Sequence, residues 1–182
     1  TAAYGNDYNA TSWRAGTVYS MTPRTQLFAQ YTRAVTPVSG LLFLSATNAT
    51  FDLTTGYSYE GGIKTSLTGT GVELTASVFK IRQDDILTRS PTNPAVVVQG
   101  GNLQSKGVEL AVNLPVTEEV RVALSGTLVD AWYGELIEAG GANRSGNRPP
   151  NVPERLMDLA VTWSPKALPL SLSGSMRYNG GF

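Results

Sequence analysis

The sequence has no cysteine and no histidine, and each absence excludes a kind of chemistry. Without cysteine the chain can form neither a disulfide framework nor a thiol-based site. Without histidine it lacks the commonest transition-metal ligand and the commonest general base, so the usual catalytic triads cannot be built. Asp84 and Asp85 are adjacent, but no third or fourth metal ligand follows at a suitable spacing. The sequence therefore predicts neither an enzyme nor a metal site.

Charged residues and long apolar runs are also scarce. Charged residues make up 15% of the 182 residues, whereas an ordinary soluble domain has about a quarter. The net charge is zero, which gives no indication of a nucleic-acid partner. No apolar run approaches the roughly 18 residues of a membrane helix, and the mean hydropathy is −0.09. An α-helical membrane protein is thus excluded, whereas a membrane β-barrel is not, because its alternating strands average near zero.

What the sequence does contain is alternation of apolar and polar residues, which predicts β-strands. In residues 56–67 the large apolar residues occupy odd-numbered positions and the charged residues occupy even-numbered positions, so the two groups lie on opposite faces of a strand. If Gly69 and Thr70 are the centre of a tight turn, apolar positions face apolar positions along the whole hairpin. The register predicted in this way pairs Leu67 with Val72, Ile63 with Ala76, Lys64 with Thr75, Tyr59 with Lys80 and Tyr57 with Arg82.

Eight segments show this pattern. They are residues 13–22, 26–33, 56–67, 72–86, 102–114, 120–133, 155–163 and 168–178. The last has the cleanest alternation, with Leu168, Leu170 and Leu172 on its apolar face. Residues 1–11 are polar and turn-rich and are interpreted as a loop.

The lengths of the connections predict the topology. Short turns at 23–25, 69–70, 115–119 and 165–166 alternate with long loops at 34–55, 87–98 and 134–152. The first long loop contains an apolar cluster, residues 41–44, interpreted as a short buried strand or a loop packed on itself. Short turns on one side and long loops on the other are typical of up-and-down membrane barrels. We therefore predict an all-β, antiparallel up-and-down meander of about eight strands in a transmembrane β-barrel.

The charged residues are separated in the way that such a barrel requires. An Arg or Lys facing lipid at the bilayer midplane costs about 2–4 kcal/mol. Charged residues that alternate in step with the apolar residues of their strand occur near strand ends only, at Arg33, Lys80, Arg82 and Lys106. Charged residues that alternate in step with the polar residues of their strand are predicted to face an aqueous lumen. They are Glu60, Lys64, Glu73, Glu109 and Asp158.

Five short motifs, in order along residues 12–178, carry a family resemblance. They are Leu27-Phe28-Ala29-Gln30-Tyr31-Thr32, Tyr59-Glu60-x-Gly62-Ile63-Lys64, Val78-Phe79-x-Ile81-x-x-Asp84-Asp85-Ile86, Ser105-Lys106-Gly107-Val108-Glu109-Leu110 and Gly146-Asn147-Arg148-x-Pro150-Asn151-Val152-Pro153. Together they resemble the barrel of TonB-dependent outer-membrane receptors of the siderophore class.

The resemblance implies a function and a set of partners. It implies a bacterial outer-membrane importer of ferric siderophore complexes, energised through TonB and embedded in outer-membrane lipid and lipopolysaccharide. The siderophore would hold the iron, so no protein-bound cofactor is expected. Barrels of this family have roughly 22 strands around a plug. Residues 1–182 are accordingly expected to be a partial β-barrel domain, an internal fragment without the plug, the TonB-contacting segment and the closing strands.

The resemblance also suggests site residues. Aromatic and basic residues in or directly before the third long loop are candidates for contacting an anionic, partly aromatic chelate, and they are Trp132, Tyr133, Arg144 and Arg148. The alternative is that they are interface anchors and loop-surface charges. Glu60, Lys64 and Glu109 are interpreted as structural charges of the lumen. Gly107 would permit close approach of another chain or a bulge.

Two other classes of protein remain open from the sequence. A passive porin or adhesin-type barrel would share the strand pattern but have no energised step. A soluble β-sandwich that binds carbohydrate would share the alternation, and the isolated chain would stay monomeric and folded without detergent. A plug and a TonB-contacting segment upstream in the gene would separate a receptor from a porin.

Overall fold

Eight long strands form one antiparallel sheet in the computed structural model, which describes residues 7–36, 51–93 and 95–181. The strands in chain order are β1 (Trp13–Thr22), β2 (Thr25–Thr36), β3 (Thr54–Ser66), β4 (Glu73–Asp84), β5 (Leu87–Arg89), β6 (Val97–Gln99), β7 (Asn102–Pro115), β8 (Val120–Glu135), β9 (Ile137–Glu138), β10 (Ala142–Asn143), β11 (Arg155–Trp163) and β12 (Leu172–Gly180). The large sheet has the order β1-β2-β3-β4-β7-β8-β11-β12, so each long strand lies beside the next long strand in sequence. This confirms the predicted meander.

Each long strand presents one face that is mostly apolar and one that is mostly polar. The apolar face is defined by the rows of residues that the register brings side by side, such as Leu74, Val112, Leu124, Leu159 and Met176. The polar face is defined in the same way by rows such as Gln26, Lys64, Thr75, Ala111, Ser125, Asp158 and Arg177. The alternation seen in the sequence is thus carried across the whole sheet, because successive side chains of a strand point to opposite faces.

The sheet has almost no buried core of its own. Among the described residues, the buried hydrophobic side chains are those of Phe51, Ala131 and Leu136. Leu124 and Met176, in contrast, are 48% and 67% exposed although they lie inside long strands. A soluble domain of this size buries most of its large apolar side chains. The apolar face therefore needs another apolar medium or partner to cover it.

The hairpin of β3 and β4 has the predicted register. Ile63 lies opposite Ala76, Lys64 opposite Thr75 and Tyr59 opposite Lys80. The amide of Leu67 donates to the carbonyl oxygen of Val72 at 2.8 Å, which closes the turn around Gly69 and Thr70. Gly69 and Gly71 have φ angles of 74° and 67°, a conformation that glycine adopts without strain.

The eighth long strand starts later than predicted. Leu168 and Leu170 belong to the turn between β11 and β12, and the strand begins at Leu172. The Leu168 amide donates to the Pro165 carbonyl oxygen at 3.3 Å, and Pro169 has no amide hydrogen to give to a sheet. The prediction that Leu168 and Leu170 lie on the strand was therefore wrong, because apolar alternation continued through a proline-containing turn.

Two glycines of the polar face are covered by phenylalanine rings of the neighbouring strands. Phe28 lies opposite Gly62, and Phe79 lies opposite Gly107. A Cβ added to Gly62 would come within 2.6 Å of the Phe28 ring, and one added to Gly107 within 2.5 Å of the Phe79 ring. Gly107 is paired in regular register. The bulge considered for it is therefore absent, and its close neighbour is a side chain of the same sheet.

The second and third long loops contain secondary structure that the sequence analysis did not predict. β5 pairs with β6 across predicted loop 87–98, and β6 ends one residue beyond that loop. β9 pairs with β10 within predicted loop 134–152, on either side of a short 3-10 helix, Ala139–Gly141. The apolar cluster at 41–44 in the first loop lies outside the described residues.

No helix in the described ranges has the length and apolar character needed to cross a membrane.

Candidate functional site

The long-loop edge of the sheet is the candidate functional site, and the β5–β6 hairpin forms its first part. Gly100 donates from its amide to the carbonyl oxygen of Ile86 at 2.9 Å, which closes the hairpin at its base. The Gln99 side chain accepts from the Asp52 amide at 2.7 Å and donates to the carbonyl oxygens of Asp52 and Asp85 at 2.9 and 3.0 Å. Gln99 thus fixes the hairpin to the segment that leads into β3.

The β9–β10 hairpin forms the second part of the edge. The Leu136 amide donates to Ser145 Oγ at 3.2 Å, and the Arg144 amide donates to the Leu136 carbonyl oxygen at 2.8 Å. Leu136 is only 3% exposed, so its side chain anchors this hairpin. The Gly140 amide donates to the Pro91 carbonyl oxygen at 2.7 Å. This bond joins the second long loop to the third.

A cavity of about 390 Å³ lies between the two hairpins. Its apolar wall is formed by Ile86, Leu87, Val97 and Leu136. Its polar wall is formed by Thr88, Arg89, Tyr133 and Glu138. An apolar wall with a few convergent polar groups is the usual composition of a small-molecule site. Among the residues that the structure describes, no three carboxylate side chains gather as metal ligands. The cavity can therefore offer aliphatic contact, a phenol, a guanidinium and a carboxylate to a ligand.

Trp132 and Tyr133 are adjacent in β8 and consequently lie on opposite faces of the sheet. Tyr133 lines the cavity. Trp132 lies on the apolar face, where the Lys106 ammonium stands 5.3 Å from the centroid of its ring. The structure thus brings one of the two predicted aromatic residues to the cavity and places the other away from it. Contact of either with a ligand stays a prediction.

The two predicted arginines lie in different environments. Arg144 pairs through Nε with Glu138 at 2.9 Å, and both side chains are about half exposed. An exposed pair of this kind contributes at most about 1 kcal/mol, so Arg144 can exchange its partner for an anionic ligand. Arg148 instead donates to the carbonyl oxygens of Val152 and Val129 at 3.2 and 3.1 Å. It also pairs with Glu154 at 3.4 Å, and its contacts tie the loop to β8.

Glu60, Lys64 and Glu109 lie on the polar face, with Glu60 and Glu109 in the middle of β3 and β7 and Lys64 near the end of β3. Glu60 accepts a short hydrogen bond from the Gln30 side chain of β2. Within the described residues, Lys64 and Glu109 form no ion pair. Strand β4 lies between them, with Thr75 opposite Lys64 and Ser77 opposite Glu109. These charges are available to a partner that covers the polar face.

Sequence reasoning missed Arg89, Glu138 and Gln99, which build or line the cavity. All three lie in strands of two or three residues, too short to show alternation. The run Val96-Val97-Val98 was an available signal, because β-branched residues favour strands. It indicates a strand in the second long loop, whereas nothing comparable marks β9 and β10.

The chain matches a family model over its whole length and known proteins over most of it. The family model described as "TonB dependent receptor-like, beta-barrel" matches residues 1–182. The metal-pseudopaline receptor CntO of Pseudomonas aeruginosa is 29% identical over 141 residues, which are 78% of this chain and 19% of that protein. The ferrioxamine B receptor of Salmonella typhimurium is 27% identical over 176 residues, 96% of this chain and 24% of that protein. The chain thus spans about a fifth to a quarter of the length of these relatives.

Solved structures show the same fold at lower sequence identity. The ferric-catecholate import receptor Fiu of E. coli superposes with a TM-score of 0.67 at 22% identity, covering 93% of this chain and 24% of that chain. The alcaligin outer-membrane receptor FauA of Bordetella pertussis gives a TM-score of 0.65 at 20% identity, covering 96% of this chain and 30% of that chain. The eight-stranded meander therefore matches a part of the barrel in these receptors.

Proposed function

This chain belongs to the TonB-dependent receptor family, through the family's β-barrel region, and we propose that it forms part of a transporter that imports ferric siderophore complexes with energy transmitted by TonB. The family resides in the outer membrane of Gram-negative bacteria and takes up siderophores or metals. The relatives named above are receptors, and none is an enzyme. Residues 1–182 are proposed to be one portion of a larger barrel.

The two faces of the sheet support this proposal. The apolar face would contact lipid, which supplies the apolar medium that the exposed leucines and valines need. The polar face would line the lumen and contact a plug, with Glu60, Lys64 and Glu109 as charges available to it. One sheet with two unlike faces is unlike a β-sandwich, in which two sheets pack face to face.

The cavity at the long-loop edge supports ligand capture on the outer side. In barrels of this kind the long loops are extracellular and the short turns periplasmic. A siderophore would bind with its apolar parts against Leu87 and Val97 and its polar groups toward Tyr133. Arg144 would leave Glu138 to pair with an anionic chelate. The iron is cargo within the siderophore, and no protein-bound cofactor takes part.

The partners that follow from this proposal are a ferric siderophore, TonB, and the lipid and lipopolysaccharide around the barrel. The observation that carries the proposal is the match of the family model to all 182 residues. A passive porin or adhesin barrel would share the strands without belonging to this family. The energised step is the part that distinguishes the receptor from those barrels.

Growth of a deletion strain under iron limitation tests the proposal. The strain is supplied with a panel of single ferric siderophores and, because CntO is a metal-pseudopaline receptor, with one metal–pseudopaline complex. We expect loss of growth on at least one compound, restored by the gene in cells that contain TonB and not restored in cells that lack it. Normal uptake of every compound would refute the transport function. Restoration without TonB would refute the energised step.

A further inference from the structure

The three long loops contain as many acidic residues as basic ones. Their basic residues are Arg89, Arg144 and Arg148, and their acidic residues are Asp52, Glu135 and Glu138. Directly before the second loop, Asp84 pairs with Arg82 at 2.7 Å, and Asp85 adds one more carboxylate. A cleft attracts an oppositely charged ligand when charges of one sign dominate its walls. The long-loop edge therefore has no excess of positive charge with which to attract a polyanion.

The basic residues also differ in how far a ligand can use them. Arg148 donates to two backbone carbonyl oxygens and pairs with Glu154, and its side chain is only 23% exposed. Arg89 lines the cavity together with Glu138, so the two charges oppose each other within its wall. Arg144 is half exposed and is held by the Glu138 carboxylate at 2.9 Å. Arg144 is therefore the arginine of these loops that can turn to a ligand most easily.

Glu138 takes part in both features, because it lines the cavity and also pairs with Arg144. An anionic group of a ligand can replace the Glu138 carboxylate at Arg144, since an exposed ion pair is weak. The released Glu138 carboxylate then remains beside the ligand and repels any further negative charge on it. Like charges brought together in a site suppress the wrong partner. The site can therefore compensate one negative charge and opposes more.

The charge of a ferric siderophore depends on the groups that hold the iron. Ferric iron carries three positive charges, and a hydroxamate contributes one negative charge whereas a fully deprotonated catecholate contributes two. Three hydroxamates therefore give a neutral iron centre, and three catecholates give a centre with three negative charges. A neutral centre with one carboxylate elsewhere on the molecule has the charge that Arg144 and Glu138 can accept.

The wall of the cavity favours aliphatic rather than aromatic parts of a ligand. Leu87 and Val97 belong to its aliphatic surface, and Tyr133 is the one aromatic residue among the described residues that line it. Trp132 lies on the opposite face of the sheet, against Lys106. The volume of about 390 Å³ is near the lower limit of small-molecule sites, which is about 300 Å³. The cavity can thus enclose one aliphatic arm of a chelate but offers little surface for stacking several catechol rings.

We propose that this cavity takes ferric complexes of the trihydroxamate class that carry at most one negative charge, and that Glu138 is the specificity-determining residue that excludes tris-catecholates. Arg144 pairs with a carboxylate of the ligand, the aliphatic wall holds one spacer arm, and Glu138 repels a trianionic centre. The inference rests on the transport function proposed above, because it names the class of siderophore for the same cavity. It narrows the anionic chelate expected from the sequence to one with no more than one anionic group.

Equilibrium binding of three ferric complexes to the full-length receptor tests this assignment. The receptor is produced from its own gene, purified in mild detergent and titrated calorimetrically with N-acetyl ferrioxamine B, N-succinyl ferrioxamine B or ferric enterobactin. The first two share one trihydroxamate core and carry zero and one negative charge, whereas the third is a tris-catecholate. The unmodified receptor should bind ferric enterobactin about tenfold more weakly than the succinyl complex, because each of its two additional charges can cost up to about a factor of five beside an exposed carboxylate.

Two variants test the roles of Glu138 and Arg144, with the affinity for the neutral acetyl complex as the reference for each. Glu138→Gln should raise the affinity for ferric enterobactin about tenfold relative to that reference, because it removes the repelling carboxylate and releases Arg144. Arg144→Gln should lower the relative affinity for the succinyl complex about fivefold, because the ligand carboxylate loses its partner. Glu135→Gln is the matched control, since it removes the same charge from the same loop but does not line the cavity. It should change neither ratio by more than about twofold, because salt screens charges that do not contact the ligand.

Two results would overturn the proposal: equal binding of ferric enterobactin and the succinyl complex by the unmodified receptor, or unchanged ratios in Glu138→Gln. Binding of none of the three complexes would overturn the substrate class. Heat-modifiable migration on gels shows that each variant is folded. Loss of growth of the deletion strain on another siderophore would still support the transport function, so failure of the specificity proposal is distinguishable from failure of that function.

Discussion

An arginine in place of Leu124 should strongly destabilise the protein in a lipid bilayer. Leu124 lies in the middle of the apolar run of β8, between Val112 of β7 and Leu159 of β11. Its side chain is 48% exposed in the sheet. In water, a substitution at such an exposed position usually changes stability by less than about 0.5 kcal/mol. The size of the effect therefore reports which medium covers the apolar face.

The expected magnitude follows from the position of Leu124 along its strand. On this face of β8, the other apolar side chains between the start of the strand and its first charged residue, Asp130, are Val120, Val122 and Leu128. Leu124 is consequently the central residue of the apolar band. An arginine at the bilayer midplane of a membrane barrel costs about 2–4 kcal/mol. The folding equilibrium should shift by about thirtyfold to several hundredfold.

Ser125→Arg is the matched control, because it places the same side chain on the polar face at the same height. Ser125 lies opposite Ala111 and Asp158, so the new guanidinium has room and a carboxylate beside it. Urea titration of the protein in lipid vesicles, followed by heat-modifiable migration, measures both variants. We expect a loss of about 2–4 kcal/mol for Leu124→Arg and less than about 1 kcal/mol for Ser125→Arg. Equal losses, or a larger loss for Ser125→Arg, would refute the assignment of the faces.

Three further predictions concern packing and the long loops. Gly107→Ala should lower the free energy of unfolding by about 1–3 kcal/mol in the same urea titration, because the added Cβ would collide with the neighbouring backbone. Gly174→Ala is the control, and it should leave the free energy of unfolding unchanged because a Cβ there has no atom within 4 Å. Gln99→Ala removes three hydrogen bonds between loops and should speed amide hydrogen exchange at residues 51–53, and unchanged exchange there would contradict its role. Arg148→Ala should speed exchange in residues 146–154 even without ligand, whereas a change seen only with ligand would indicate direct contact instead.

The eight long strands could be predicted from the sequence because each has one apolar and one polar face, and this difference appears in the sequence as alternation. β1 and β11 have the predicted bounds, and the Ile63–Ala76 register is as predicted, because a shift by one residue would exchange the two faces. The error at Leu168 and Leu170 shows the limit of this argument. Alternation of apolar and polar residues predicts the face of a strand on which each side chain lies. It does not predict whether the backbone amides can form the hydrogen bonds of a sheet.

The loop cavity could be predicted only in part. Tyr133, which lines the cavity, was singled out from its residue type, since aromatic groups suit a partly aromatic chelate, and its contact with a ligand stays a prediction. Gln99 was missed because its role depends on two backbone segments that the fold brings to it, at Asp52 and Asp85. The Phe79 ring over Gly107 was missed for the same reason. Contacts between strands far apart in sequence leave no local pattern.

A spin-label scan along β7 tests most directly whether the sheet separates lipid from water. Because this chain has no cysteine, single cysteines introduced at residues 108–113 can each be labelled specifically. Accessibility to lipid-soluble oxygen should peak at Val108, Leu110 and Val112, and accessibility to a water-soluble nickel complex should peak at the residues between them. If the oxygen and nickel accessibilities each repeat every two residues and peak at alternate residues, the result would support a sheet with one face toward lipid and one toward water. Profiles in the same phase, or with the two faces exchanged, would contradict it.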